Sequence, residues 1–143
     1  AVERIQAAVA AARALPFAFT LTARAENYLH GRADLKDTIA RLQAYQEAGA
    51  DVLYAPGLKT RGDIAAVVSS VDRPVNVLAG PQVHMTLDEL SRIGVKRVSV
   101  GGSLARAAFG AMLRAGHEMR EHGSFDFAND AVSHGDISAM FPA

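Results

Sequence analysis

The chain has 143 residues, half of them hydrophobic, and its 15 Lys and Arg residues balance its 15 Asp and Glu residues. This length suits one domain with a real core, and the balanced charge argues against a nucleic-acid partner. The sequence has no cysteine, which excludes disulfides, thiolate metal sites and a cysteine nucleophile and is compatible with the cytoplasm, where we expect the protein. No apolar stretch reaches the roughly 18 residues of a membrane span, so we expect no membrane partner. The first residues do not form a signal peptide, and the missing initiator Met suggests processing or a fragment.

Helical and extended segments alternate along the chain. A segment rich in helix formers over residues 2–14 is ended by Pro16, and the apolar run 17–23 predicts the first strand. Further helices are predicted at residues 33–48, 60–70, 86–93 and 103–122, and further strands at 51–55, 74–78 and 95–100. Thr86 and Glu89 have the spacing of a capping box at the start of their helix.

Strict alternation of this kind predicts an α/β fold with four parallel βα units and right-handed crossovers. A closed barrel needs eight such units and typically about 250 residues. Two architectures therefore stay open on this pattern: a small open doubly wound sheet, or half of a (β/α)8 barrel. Residues 124–143 carry apolar side chains without a clear period. We expect this loop-like tail to pack on the rest of the chain or on a neighbouring subunit.

Two charged residues, Arg24 and Glu26, follow the first predicted strand. Ligands bind at the carboxyl ends of parallel strands, and residues two apart on a strand point to the same face. A guanidinium at this position can hold a carboxylate or phosphate through two hydrogen bonds. The sequence therefore predicts an oxyanion site at Arg24. The alternative is that both residues only pair with neighbours and cap the strand end.

Other polar residues near the predicted strand ends have two possible roles each. Asn76 lies inside an apolar strand and must be hydrogen-bonded, either to substrate or to a network within the sheet. Tyr54 could line the mouth of the site or pack in the core. His30 and His84 are in loops on the mouth side. The glycine turn within 99–103 could bind an anion at the following helix or simply allow a tight turn.

Several short motifs stand in order along almost the whole chain. They are Thr22-Ala-Arg24-Ala-Glu26, Gly31-Arg32-Ala-Asp34-Leu35, Gly49-Ala-Asp51, Tyr54-Ala-Pro56-Gly57-Leu58, Arg73-Pro74-Val-Asn76-Val77 and Gly94-Val-Lys-Arg97-Val-Ser99. With this ordered set the sequence resembles the second half of an isocitrate lyase/phosphoenolpyruvate mutase superfamily member. It is most similar to the carboxyphosphonoenolpyruvate phosphonomutase-like bacterial branch. The resemblance implies that residues 1–123 are four βα units of a (β/α)8 TIM barrel.

The resemblance also implies a Mg2+-dependent lyase-type enzyme that cleaves a C–C or P–C bond in a small 2-oxo or enolpyruvate carboxylic acid. Arg24 would bind the substrate carboxylate, and Glu26 would orient Arg24 or hold a metal-bound water. Asn76 and Tyr54 would complete the substrate site. The metal ligands of the family belong to the half of the barrel that precedes residue 1, so no metal ligand is expected in this chain. The implied assembly is a homo-oligomer, either a dimer or a tetramer.

One position departs from the family pattern. Catalytic members carry a His or Glu near the end of the strand at 51–55, whereas the nearest residue here is Pro56, which can neither donate nor accept a proton. Phosphonomutase activity is therefore not expected. The alternative function is a catalytically incomplete half-barrel, either a fragment or a scaffold, without activity of its own.

Overall fold

Helices and strands alternate in the computed structural model, which describes residues 1–141. The helices are α1 (Val2–Arg13), α2 (Leu35–Glu47), α3 (Arg61–Ser69), α4 (Leu87–Arg92), α5 (Ser103–His122) and α6 (His134–Ala139). The strands are β1 (Thr22–Arg24), β2 (Val52–Tyr54), β3 (Val75–Leu78) and β4 (Arg97–Ser99). The chain divides into two compact units, residues 1–101 and the part that begins at Gly102. None of the helices in residues 1–141 combines the length and apolar character needed to cross a bilayer.

The first unit is a parallel sheet with the strand order β1-β2-β3-β4. This order confirms the prediction of an α/β fold with four parallel strands. One face of the sheet is covered by helices, and its core includes Ala23, Leu53 and Val77 from the strands. Since side chains alternate along a strand, the residues next to these in each strand point to the opposite face of the sheet.

The helices of this unit begin at side-chain caps. Asp34 and Thr60 accept hydrogen bonds from backbone N–H groups of the first turns of α2 and α3. Thr86 and Glu89 form the predicted capping box of α4, in which each side chain bonds the backbone of the other residue. These caps fix the residue at which each helix begins. Each helix follows the carboxyl end of a strand, and Arg24 and Glu26 lie at that edge of the sheet.

The first strand differs from its prediction. It begins at Thr22 instead of residue 17, and the side chains of Phe17 and Phe19 are 61% and 47% exposed. Pairing starts where the Leu21 carbonyl accepts hydrogen bonds from the N–H groups of Asp51 and Val52. An apolar run indicates burial, but strand structure needs a neighbouring strand, and the neighbour begins only at Val52.

The second unit contains α5, a short 3-10 helix at Asp126–Asp130 and α6. Glu118 of α5 accepts hydrogen bonds from the Ser124 hydroxyl at 2.8 Å and from the Asp126 N–H at 2.6 Å. The expectation of a loop-like tail is therefore wrong for these two helical segments. Each is too short to show a period, although Ser133 caps α6 by accepting from the Asp136 N–H. Residues 142 and 143 of the predicted tail lie outside the described residues, and the predicted boundary after residue 123 stays a prediction.

Candidate functional site

The sheet carries a line of four side chains on the face opposite the helices. Arg24 is paired in register with Tyr54, Tyr54 with Asn76, and Asn76 with Arg97. Their strand neighbours pack in the core beneath the helices, so these four side chains point the other way. We call Arg24, Tyr54, Asn76 and Arg97 the polar row.

Arg24 stands at one end of the polar row. Its Nη2 lies 2.7 Å from Oε1 of Glu26, and its Cζ lies 5.2 Å from the centroid of the Tyr54 ring. Both charged side chains are about half exposed, at 49% and 43%. The other Glu26 oxygen lies 3.8 Å from Nε2 of His30. The structure thus brings Arg24, Glu26 and Tyr54 together, while their roles in binding stay predictions.

Tyr54 lies beneath Arg24 and is only 9% exposed. Burial raises the pKa of its hydroxyl above the ordinary value, with a smaller contribution from the negative charge of Glu26. The positive charges of Arg24 and Arg97 act on the same pKa in the downward direction. The hydroxyl therefore stays protonated at neutral pH.

Asn76 is 2% exposed and uses both ends of its amide. Its Oδ1 accepts a hydrogen bond from Nη1 of Arg97 at 3.0 Å, and its Nδ2 donates to Oγ of Ser99 at 3.0 Å. Of the two roles left open for Asn76, these contacts support a network within the sheet. Arg97 and Ser99 belong to one of the ordered motifs of the sequence but were not predicted as site residues. The available signal was their position on either side of Val98, which packs against the core.

A cavity of about 540 Å³ opens beside β1. It is lined by Ala1, Arg4, Arg24, Glu26, Asn27, His30, Arg32, Arg41 and Tyr45. Its lining carries four guanidinium groups against one carboxylate, although Arg41 is bonded to Asp37 at 2.7 Å. The excess positive charge favours the binding of an anion in this cavity. Arg24 is the residue that the cavity shares with the polar row.

The loop after β1 is held in place by Asn27. This side chain is 6% exposed, and its Nδ2 donates to the Arg32 carbonyl at 3.0 Å and to Oγ1 of Thr38 at 2.7 Å. Gly57, in the loop after β2, packs directly against Tyr28 of the loop after β1. These two contacts fix the backbone that carries Glu26 and His30.

A metal ion does not fit the residues present. Within residues 1–141 no three His, Cys, Asp or Glu side chains come together in a group that could hold a metal. Glu26, the acidic residue nearest the site, is engaged by Arg24. The chemistry that this part of the chain offers is therefore anion binding by guanidinium groups.

Comparison with known proteins identifies the family to which the chain belongs. Residues 1–120 match the sequence model of a family described as phosphoenolpyruvate phosphomutase. A crystal structure from Burkholderia cenocepacia J2315, assigned provisionally as a lyase/mutase, is 65% identical with a TM-score of 0.94, covering 99% of this chain and 51% of that one. A phosphonopyruvate hydrolase in complex with oxalate and Mg2+ is 29% identical with a TM-score of 0.77, covering 98% of this chain and 52% of that one.

An oxaloacetate decarboxylase of Rhodopseudomonas palustris strain BisA53 is 41% identical over 75 residues, which are 52% of this chain and 25% of the relative. The chain thus spans about half the length of the two solved structures. The structural neighbours are TIM-barrel enzymes of the isocitrate lyase/phosphoenolpyruvate mutase superfamily. Of the two architectures left open, the half-barrel is therefore confirmed, as is the resemblance found in the sequence.

Proposed function

Because the chain belongs to the phosphoenolpyruvate phosphomutase family, we propose that it forms the carboxylate-binding part of a lyase-type active site. The substrate is a small 2-oxo or enolpyruvate carboxylic acid, and the bond broken is a C–C or P–C bond close to the carboxylate. Two relatives support this class, since oxaloacetate and phosphonopyruvate are both small 2-oxo acids. The observation that carries the proposal is Arg24, held by Glu26 above Tyr54 at the carboxyl end of β1.

Each of these three residues has a defined task in the proposal. Arg24 binds the substrate carboxylate, because its guanidinium has five N–H donors and Glu26 occupies only one side of it. Glu26 orients the guanidinium, and the ring of Tyr54 supports it through a cation–π contact. A fixed positive charge there also stabilises the negative charge that develops when the bond next to the oxo group breaks.

Magnesium dependence belongs to the proposal for a whole barrel. Its support is the phosphonopyruvate hydrolase that binds oxalate and Mg2+. The residues described in this chain do not fit a metal site. The homo-oligomeric assembly and the cytoplasmic location expected from the sequence are likewise parts of this proposal.

A second candidate is a half-barrel that has no chemistry of its own. Two observations favour it: β1 and β4 stand at the ends of the strand order, and residues 1–141 contain no cluster of metal-binding side chains. Unpaired edges of a sheet invite association with another chain. A scaffold of this kind has no need to bind carboxylates, which separates the two candidates.

The test is binding of oxalate, a mimic of an enolate, followed by NMR titration because this method measures millimolar dissociation constants. Arg24→Gln removes the charge and keeps most of the volume. We expect its affinity to fall at least tenfold, since a hydrogen bond to a charged group contributes about 1.5–3 kcal/mol. Arg92→Gln is the matched control, because Arg92 is an exposed arginine in the last turn of α4. Equal affinity of Arg24→Gln and the parent protein would show that Arg24 is not the anchor.

A further inference from the structure

The hydrogen bonds found in the polar row belong to Asn76 and leave the hydroxyl of Tyr54 unpaired within residues 1–141. The pKa of this hydroxyl is set by burial and by neighbouring charges, with no contribution from a hydrogen bond. Tyr54 as a whole is 9% exposed, yet the only fully enclosed side-chain atom without a partner in the described part of the chain is Oδ1 of Asn27. The Tyr54 hydroxyl is therefore not enclosed, and it opens on the face of the sheet that carries the polar row.

This hydroxyl is also the group of the polar row that can release a proton. An arginine stays charged in proteins, and the amide of Asn76 donates hydrogen bonds without giving up a proton. The nearby carboxylate of Glu26 is bonded to Arg24, where it acts as an acceptor. A proton that a bound molecule takes from the polar row must therefore come from Tyr54.

The charges around Tyr54 suit a hydroxyl that holds its proton at rest and gives it up to a strong base. Burial, the largest cause, and the charge of Glu26 raise its pKa, so the proton is in place at neutral pH. The charges of Arg24 and Arg97 lower the same pKa, which means that they stabilise the phenolate form. Cζ of Arg24 lies 5.2 Å from the ring centroid. A phenolate formed here would thus have an opposite charge close to its ring.

We propose that Tyr54 is the proton donor of the site and protonates the carbon of the enolate that bond cleavage leaves behind. The O–H bond of Tyr54 breaks, and the electron pair of the enolate forms a C–H bond at the carbon that lost its substituent. The product is a 2-oxo acid, and the phenolate then takes a proton from water. This inference rests on the proposed function, because Arg24 must hold the carboxylate of the enolate beside the hydroxyl.

Oxalate and pyruvate separate the hydroxyl of Tyr54 from the carboxylate anchor. Oxalate has an oxygen where the enolate has the carbon to be protonated, and this oxygen can accept a hydrogen bond, whereas the methyl group of pyruvate cannot. Tyr54→Phe keeps the ring under Arg24 and removes the hydroxyl. In NMR titrations of the 143-residue protein we expect it to weaken oxalate about tenfold or more, the effect of a hydrogen bond to a charged group, and pyruvate less than about twofold.

Tyr28→Phe is the matched control for the loss of a hydroxyl. Tyr28 lies in the loop after β1, and the charges that act on its hydroxyl are those of Asp63 and Asp34, outside the polar row. This variant should change neither dissociation constant.

Proton transfer itself is measured with enolpyruvate, which is made in solution from phosphoenolpyruvate by a phosphatase. Its conversion to pyruvate needs a proton at carbon and no bond cleavage. We expect the parent protein to accelerate this conversion above a blank without protein. Tyr54→Phe should lower the maximal rate about tenfold or more, as expected for the loss of a general acid. Arg24→Gln should instead raise the enolpyruvate concentration that gives half the maximal rate.

The outcomes distinguish this inference from the proposed function. If Tyr54→Phe weakens oxalate and pyruvate equally, or matches the parent protein in converting enolpyruvate, Tyr54 is not the donor and the inference is wrong. A parent protein that binds both acids but converts enolpyruvate no faster than the blank also overturns it. If Arg24→Gln binds both acids like the parent protein while Tyr54→Phe weakens only oxalate, the role of Arg24 is wrong and Tyr54 keeps its contact. If the parent protein binds neither acid, both proposals fail.

A measurement on the parent protein covers the case in which Tyr54→Phe does not fold. The chain has three tyrosines, so labelling with 13C at Cζ gives a simple NMR spectrum. The Tyr54 signal should shift more with oxalate than with pyruvate, because the hydroxyl donates to oxalate alone. Equal shifts would overturn the inference.

Discussion

Replacement of Gly57 by alanine tests how the loop that carries Glu26 is held. Gly57 follows β2 and has a φ of +98°, in the left-handed region that side chains rarely adopt. A Cβ at this position would lie 2.8 Å from Cβ of Tyr28, in the loop that follows β1. Shortening Tyr28 does not relieve this contact, because every residue except glycine has a Cβ. One of the two loops must therefore move.

The expected cost has two parts. A left-handed backbone costs an L-residue about 1–2 kcal/mol, and forcing an extra carbon into a packed contact costs about 1–3 kcal/mol. Gly57→Ala should therefore lower the free energy of unfolding by about 2–5 kcal/mol. Because Tyr28 is two residues from Glu26, the displaced loop should also weaken oxalate binding at Arg24.

Gly31→Ala is the matched control. Gly31 ends the short 3-10 helix Asn27–His30 in the loop after β1 with a φ of +74°, and a Cβ there would meet nothing within 4 Å. Gly31→Ala has the same cost of a left-handed backbone as Gly57→Ala but no steric cost. We therefore expect it to lower the free energy of unfolding by only about 1–2 kcal/mol. Equilibrium unfolding in urea measures both variants. If Gly57→Ala is no more destabilising than Gly31→Ala, the close approach of the two loops is not a constraint and the reasoning fails.

Two further substitutions test contacts around the same strand. Asn27→Ala removes the hydrogen bonds that Nδ2 donates to Thr38 and to two backbone carbonyls. It should lower the free energy of unfolding, measured in urea, by about 2–3 kcal/mol. A loss below about 0.5 kcal/mol would contradict the role of Asn27. Asp51 has its pKa lowered mainly by the hydrogen bond from Arg13 and then by the Leu21 N–H, so its stabilising contribution is present above about pH 4 and is lost as the pH falls through its lowered pKa. Asp51→Asn should therefore differ in stability from the parent protein at pH 7 and converge with it in acid, and a gap that is constant with pH would contradict this linkage.

The architecture of the first unit was predictable because its signals are local. Alternating apolar runs and helix formers indicated the parallel sheet, and Thr86 with Glu89 indicated the start of α4. The number of strands left the choice between an open sheet and a half-barrel unresolved. The ordered motifs favoured the half-barrel, because they carry the resemblance to the superfamily. The family match over residues 1–120 confirms that resemblance.

The polar row was only half predictable, because it depends on register across four strands. Arg24, Tyr54 and Asn76 could each be named from their own segments, whereas Arg97 stands next to Lys96 in the predicted strand 95–100, and only Val98 indicated which of the two faces away from the core. The pairing of Arg97 with Asn76 then shows that Arg97 belongs to the row. The same limit applies to α6, a helix of six residues whose capping serine was the only local signal.

Arg97 also bears on the choice between an enzyme and an inactive half-barrel. The exposed pair of Arg24 and Glu26 does not decide it, since such a pair can form at any strand end and contributes at most about 1 kcal/mol. Asn76 is different, because it is buried while its partner Arg97 is exposed, and replacing a buried hydrogen-bonded group by an apolar one of the same shape can be nearly neutral or stabilising. A scaffold gains nothing from an arginine that has no carboxylate partner among residues 1–141 and is held in place by a buried amide. A buried polar residue in an apolar strand is a departure of the kind expected where a protein binds a ligand, so Asn76 is consistent with the proposed carboxylate-binding site.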